Sequence, residues 1–263
     1  MRTKKSLGQH FLKSEEVISD IVTVGNIRKE DTVLEIGPGE GILTRALLLT
    51  GAHVISVEKD DRLIPELQKT FLREIALRHL DLIHADILDL ELPHLAKSQY
   101  KVVANIPYYI TGKIIRMFLE SDKQPTSMTL LVQKEVAERI VARDGKESLL
   151  SLSVKAYGEP KLMRVVGRGA FAPQPKVDSA VLKIENISKQ RFDGVRKKLF
   201  FEIIHAGFAH KRKQLLPNLS ILYKKDFLLK VFKKCGLNEK VRAEDLLLET
   251  WIKMTSIMQP TVT

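Results

Sequence analysis

Apolar residues fall in short, nearly unbroken runs up to about residue 187 and in helical spacing beyond it. The runs Thr32–Gly37, His53–Glu58, Asp81–Ala85, Lys101–Asn105, Met128–Gln133, Leu162–Val166 and Ser179–Glu185 read as seven strands. Several have almost no polar position, as strands covered on both faces must. Helical patterns fit between them. Ser14 is placed to cap a helix with Glu15 and Glu16 in its first turn, and Gly41–Leu49 and Asp61–Glu74 follow the first two strands. Strands alternating with helices predict a parallel sheet with crossover helices. The last two strands are joined instead by the Gly/Pro-rich stretch Gly167–Lys176, so the final pair is expected to be antiparallel.

Past residue 188 the strand pattern stops. Arg191–Ala209, Lys225–Cys235 and Ala243–Met258 carry helical spacing, broken by Pro217 and Gly236. The expected fold is therefore α/β. Residues 1–187 form a seven-stranded, mostly parallel sheet domain with its last strand antiparallel, and residues 188–263 form a small all-α domain.

A length of 263 residues suffices for one large core and a smaller one. Hydrophobic residues make up 44% and charged residues 29%, ordinary for a globular chain. The charge balance changes the picture. Lys and Arg number 43 against 32 acidic residues, a formal net charge of +11 that favours polyanionic partners, nucleic acid first. Cys235 is the single cysteine, so no internal disulfide can form, a Cys-based zinc site is not expected, and a reducing, intracellular setting fits. The basic Met1–Lys5 leads into Ser6–His10 rather than an apolar run, unlike a secretory signal. No stretch reaches the roughly 18 to 20 apolar residues of a membrane span. A cytoplasmic protein with no membrane partner is expected.

Candidate chemistry begins at Lys101–Tyr109, where an apolar strand runs into Asn105, Ile106, Pro107, Tyr108 and a second tyrosine. The Asn105 amide oxygen can accept from an amine. Pro107 stiffens the turn and carries no N–H, so nearby carbonyls can be left free to accept. Tyr108 offers a face on which a base can stack, a contact worth about 1–3 kcal/mol. Two acceptors converging beside a stacking ring suit an enzyme that alkylates the exocyclic amine of a nucleobase. An ordinary strand-ending turn is the plainer alternative.

Val33–Ile42 reads as a strand, a glycine-rich turn and a helix start. Gly37, Gly39 and Gly41 alternate, which departs from the dinucleotide spacing, and Glu40 places negative charge where a pyrophosphate would sit. A cationic ligand fits better. Glu58 ends the second strand about 20 residues on, where a carboxylate can accept from both ribose hydroxyls. Asp86 follows the third strand and can accept from an adenine amine. A nucleoside carrying a positive centre is S-adenosylmethionine, whose electrophilic methyl group needs no metal, so catalysis is mostly orientation.

The motifs Leu7-Gly-Gln-His-Phe-Leu12, Glu35-Ile-Gly-Pro-Gly-Glu-Gly41, Val57-Glu58, Ala85-Asp86, Asn105-Ile-Pro-Tyr108 and Phe171-Ala-Pro-Gln-Pro-Lys-Val-Asp-Ser179 occur in that order over nearly the whole length. In them the chain closely resembles the bacterial small-subunit ribosomal RNA adenine N6,N6-dimethyltransferases, the dimethyladenosine transferases linked to kasugamycin sensitivity. That resemblance implies a Rossmann-like class I methyltransferase sheet. It implies S-adenosylmethionine contacts at His10, Leu12, Gly37, Glu58, Asp86 and Asn105, with the N-terminal segment as a flap. It implies a target site at Asn105, Ile106, Pro107 and Tyr108, with Phe171 facing the base from the loop between the last two strands. From the sequence alone Phe171 reads as a loop anchor in the core. Many relatives have Asn at the position of His10 and a Tyr-Gly pair within the segment that reads Lys146–Ser153 here.

The implied substrate is two adjacent adenosines in the 3′-terminal hairpin loop of small-subunit rRNA, within a pre-ribosomal 30S particle, dimethylated by a monomer during ribosome biogenesis. His210-Lys-Arg-Lys213, with Arg191, Arg196, Lys197 and Lys198 upstream, reads as an RNA-backbone patch at the head of the helical domain. Three other readings compete. They are a large-subunit rRNA adenine methyltransferase conferring macrolide resistance, a non-catalytic nucleic-acid-binding relative, and a dehydrogenase. Gly207–Leu219 more nearly resembles the small-subunit group, and Glu58, Asp86 and Asn105 are intact. The glycine spacing disfavours the dehydrogenase.

Overall fold

A strand without a polar position on either face stays dry only if neighbours cover both sides, and the apolar runs of this chain assemble to meet that demand. The computed structural model describes residues 10–90, 99–210 and 212–259. The strands in chain order are β1 (Phe11–Leu12), β2 (Thr32–Ile36), β3 (His53–Glu58), β4 (Leu80–His84), β5 (Lys101–Asn105), β6 (Ser127–Gln133), β7 (Glu159–Val166), β8 (Phe171–Ala172) and β9 (Ser179–Glu185). Seven of them form one sheet in the order β4-β3-β2-β5-β6-β9-β7. Pairing is parallel from β4 to β6, while β9 runs antiparallel to both β6 and β7. The α/β expectation holds, antiparallel last strand included. The short β1 pairs antiparallel with β8, Leu12 opposite Phe171.

The chain leaves β2 toward β3 and β4 on one side and returns to β5 and β6 on the other. The carboxyl ends of β2 and β5 thus flank a topological switch point, where open α/β sheets bind ligands. Val54, Val102, Val103 and Leu130 are wholly buried at the middle of the sheet.

The helices that cover this sheet follow from local sequence. In α1 (Glu15–Gly25) the Ser14 hydroxyl accepts from the Val17 N–H, and Asn26 ends the helix at φ 47°. The glycine turn leads into α2 (Ile42–Leu49). Where the spacing predicts one helix over Asp61–Glu74, the structure has α3 (Ile64–Thr70) and α4 (Leu72–Ala76). Phe71 separates them because it turns into the core, 1% exposed, with the Arg45 guanidinium 5.4 Å from its ring centre. Next come α5 (Thr111–Glu120) and α6 (Lys134–Val141).

The second unit holds α7 (Leu149–Lys155), α8 (Lys197–Gly207), α9 (Leu215–Leu219), α10 (Lys225–Cys235) and α11 (Leu248–Met258). Gly194, at φ 76°, delays α8, which starts at Lys197 rather than Arg191. Pro217 lies inside α9, in the first turn, where the missing N–H leaves no helical bond unmade. The described residues group into one unit within Met1–Ala137 and Glu159–Ile187 and another within Glu138–Gly158 and Ser188–Thr263. Residues 138–158, which the strand–helix alternation places with the first 187, therefore join the helical unit. Their ties explain it: Glu147 N–H donates to the Glu244 carbonyl at 2.8 Å, and the Tyr157 ring meets Phe192 at 5.3 Å. Among the described residues no helix is long and apolar enough to cross a membrane.

Candidate active site

The carboxyl ends of β2, β3, β4 and β5 border an open cavity of about 840 Å³, its mouth included. It is lined by His10, Phe11, Ile36, Gly37, Gly39, Val57, Glu58, Lys59, Ala85, Asp86, Ile87, Asn105, Ile106, Pro107, Tyr108, Tyr109 and Ile110. Motifs as far apart in the chain as residues 10 and 110 thus meet in one place.

The glycine turn forms its floor. Gly37, Gly39 and Gly41 sit at φ 68°, 59° and 80°. A Cβ at Gly37 would meet nothing within 4 Å, so the backbone there faces open space that a ligand can fill. At Gly41 a Cβ would lie 2.5 Å from Phe71 Cε2, which reserves that position for packing. Below the turn, Glu35 is 1% exposed, and its Oε2 accepts from Thr44 Oγ1 at 2.7 Å and Ser56 Oγ at 2.6 Å. Its Oε1 is buried without a partner among the described residues. Burial, against two hydroxyl hydrogen bonds, pushes the Glu35 carboxyl up to about 7.

Glu58 ends β3, with Oε2 accepting from Gly39 N–H at 3.1 Å and Oε1 from Asp60 N–H at 2.8 Å. These two bonds fix the carboxylate plane and leave each oxygen a further lone pair. Burial raises the Glu58 pKa, and the backbone N–H groups oppose the rise. Asp86 follows β4 and caps a short 3₁₀ turn, its Oδ1 accepting from Leu88 N–H at 3.0 Å. Burial pushes the Asp86 carboxyl up, but the Lys59 ammonium at 2.6 Å and the Leu88 N–H outweigh it, so its pKa lies below the ordinary value.

Asn105 ends β5 and donates from Nδ2 to the His10 carbonyl at 3.1 Å. A carbonyl can only accept, so this contact settles which end of the amide is which. Among the described residues no donor engages Oδ1, which remains an acceptor. Pro107 O already accepts from Ile110 N–H at 3.2 Å, and Ile106 N–H donates to Leu131 O at 3.2 Å. Tyr108 is held by its hydroxyl, 2.8 Å from Ser179 Oγ. Burial raises its pKa, offset in part by that contact. The His10 ring stacks on Tyr108 at 5.9 Å and 25°, and its Nδ1 donates to the Pro173 carbonyl at 2.8 Å.

Two residues implied by the resemblance stand elsewhere. Leu12 and Phe171 do not line the cavity. Both are buried, 7% and 3% exposed, in the core that includes Val17, Ile18 and Val166. The β1–β8 pairing turns them inward together, with Leu12 opposite Phe171. Conversely, Phe11, Lys59 and Tyr109 line the cavity without having been singled out. Phe11 lies within a quoted motif and Lys59 directly follows one, the signals that could have found them. Residues 7–9 of the first motif, and Lys211 in the basic run, lie outside the described residues.

A family model described as ribosomal RNA adenine dimethylase matches residues 1–260. A protein named ribosomal RNA small subunit methyltransferase A from Dehalococcoides mccartyi is 42% identical over 258 residues, covering 97% of this chain and 88% of that one. The crystal structure of a dimethyladenosine transferase from Plasmodium falciparum has a TM-score of 0.80 at 28% identity, covering 93% of this chain and 96% of that one. The crystal structure of the 23S rRNA methyltransferase ErmE shares the fold at a TM-score of 0.75 and 24% identity, covering 94% and 99%. With a family model running from residue 1 to residue 260 over all the cavity-forming segments, the chain belongs to the ribosomal RNA adenine dimethylase family.

Proposed function

We propose that this chain dimethylates the exocyclic N6 amines of two adjacent adenosines in the 3′-terminal hairpin loop of small-subunit rRNA, acting in the cytoplasm as a monomer on a pre-ribosomal 30S particle. The observation that carries the reading is the Asn105 amide, pinned by His10 so that its oxygen is the end left to accept.

The donor set fits S-adenosylmethionine. Gly37 leaves backbone open to close approach, Glu58 keeps two lone pairs for a ribose diol, and Asp86 supplies a carboxylate for an adenine amine. His10 and Phe11, on the segment before α1, border the same cavity, whereas Leu12 supports that segment from the core. When bound, S-adenosylmethionine supplies an electrophilic methyl group on a sulfonium.

The protein's own part is to prepare the nucleophile. An adenine amine is weak because its lone pair is delocalised into the ring. Asn105 Oδ1 accepts one N–H of the target amine, and the Ile106 carbonyl accepts the other, since Pro107 O is engaged by Ile110. Two acceptors favour a pyramidal nitrogen and turn its lone pair toward the donor. Tyr108, fixed through Ser179, provides the stacking face, and the His10 ring already lies against it, which supports that role. Neither acceptor is a strong base, so the proton passes to water. After one transfer a single N–H remains, which permits a second round. A base that is stacked and paired cannot reach this pocket, so the substrate is a loop or an extruded nucleotide.

The helical unit carries exposed Arg191, Arg196, Lys198, Arg212 and Lys213, which suit RNA phosphates. The test is incubation with methyl-labelled donor and, separately, immature small and large ribosomal subunits, followed by mapping of the labelled base. Label at two adjacent loop adenosines near the 3′ end of the small-subunit RNA is expected. Label confined to the large subunit would replace this reading with the macrolide-resistance activity, and no label in either would leave a binding protein without turnover.

A further inference from the structure

Asp86 is the carboxylate assigned above to the cofactor's adenine amine, yet both of its oxygens are engaged. Oδ1 caps the following turn through Leu88 N–H at 3.0 Å. Oδ2 accepts from Lys59 Nζ at 2.6 Å. Lys59 comes directly after Glu58 and lines the same cavity. Its side chain is 57% exposed and that of Asp86 19%, so the ammonium reaches in from solvent over the carboxylate. Nothing in the reaction as derived uses it.

We infer that Lys59 is a built-in competitor for the adenine subsite: its ammonium holds the outer oxygen of Asp86 and is displaced when the 6-amine of the cofactor binds. The inference rests on the cofactor reading given above. Oδ1 is committed to the backbone, whereas Oδ2 is held only by a side chain that can swing away. An ammonium at 2.6 Å takes one lone pair of Oδ2, so an incoming N–H must share that oxygen with it or displace it. Lys59 therefore lowers affinity for any 6-amino purine. It also blunts selectivity. A bare carboxylate accepts from a 6-amino group and repels a 6-oxo group, whereas an ammonium at its side donates to a 6-oxo group and makes that ligand tolerable. The residue sets both the strength and the strictness of adenine recognition.

The test is calorimetric titration of the full chain with S-adenosylhomocysteine, using wild type, Lys59→Met and Lys59→Arg at low and high salt. The Met side chain keeps the length of the lysine stem without its charge. Lys59→Met is expected to bind about three- to fivefold more tightly at low salt, the range an exposed ion pair can supply. That gain should shrink at high salt, where screening loosens the wild-type pair. Lys59→Arg keeps the charge and should bind no more tightly than wild type. S-inosylhomocysteine, the 6-oxo counterpart, should bind Lys59→Met more weakly than wild type. Equal or weaker binding of S-adenosylhomocysteine by Lys59→Met overturns the inference. Absence of saturable binding by the wild type overturns the cofactor reading instead. Should Lys59→Met melt below wild type, Lys59→Gln serves for the same comparisons.

Discussion

Asn105 and Glu35 show how differently two polar residues at strand ends can serve one site. Asn105 faces the cavity, and its role is geometric: one end of the amide is tied to His10 and the other is left for the target amine. Asn105→Ala removes that acceptor while leaving the Tyr108 face, so methyl transfer should fall at least about a hundredfold with RNA affinity nearly unchanged, a loss in the range of one preorganised polar contact to a transition state. Single-turnover transfer beside filter binding measures both, and wild-type turnover would remove Asn105 from the mechanism. Glu35 faces the core, and its role is seen through pH. Its carboxyl lies at about 7 in the fold against an ordinary 4.5. Between those values the folded state holds a proton that the unfolded chain has released. Stability therefore falls as pH rises through this window, by on the order of 3 kcal/mol in full. Glu35→Gln, which mimics the neutral form, should melt above wild type at pH 8 and approach it near pH 5. A melting difference that does not change with pH would show that the carboxyl titrates normally. Glu58, Asp86 and Asn105 were legible in the sequence because each ends an apolar run. Lys59 was not, since a lone charge beside a motif has no periodicity to mark it. The β1–β8 pairing that buries Phe171 was not legible, because two residues on each side leave no pattern to read.

At the scale of elements, the glycine turn between β2 and α2 divides its labour in a way the sequence does not display. Spacing identified the turn, but three alternating glycines look equivalent in a string of letters. The structure separates them. Gly37 opens onto the cavity, whereas Gly41 is pressed against Phe71. Both have positive φ, so an alanine at either costs about 1–2 kcal/mol in backbone strain. Gly41→Ala must in addition push Phe71 out of the core and should lower the melting temperature much more than Gly37→Ala. Gly37→Ala should instead lose S-adenosylmethionine binding, because its methyl fills the space the ligand needs. Melting curves with and without the donor separate the two effects, and equal loss of stability in both variants would refute the division. The same Phe71 explains why one expected helix became two. Its apolar side chain fits the helical period, and only the buried site beneath Gly41 reveals that the chain bends to deliver it.

At the scale of the whole molecule, the excess of 43 basic over 32 acidic residues was the earliest pointer to a polyanion, and it identified neither the face nor the element involved. Many of the cations are consumed locally. Lys101 pairs with Asp31 at 2.7 Å, Lys155 with Glu147 at 2.5 Å, and Arg164 reaches Glu16 at 2.8 Å. Such pairs are invisible to a net-charge count. Arg212 and Lys213 are different: both are exposed, and both follow α8 in the helical unit. If they contact RNA phosphates, each contact releases condensed counterions, and the logarithm of affinity falls with the logarithm of salt by about 0.7–0.9 per contact. Reversing both charges, Arg212→Glu with Lys213→Glu, should weaken binding of a small-subunit RNA fragment at low salt. It should also flatten the salt dependence by about one and a half units of slope. Affinity for S-adenosylhomocysteine should not move, since neither residue borders the cavity. A salt slope identical to wild type would mean that the RNA backbone lies on another face of the protein, and the basic run would then be an ordinary solvated surface.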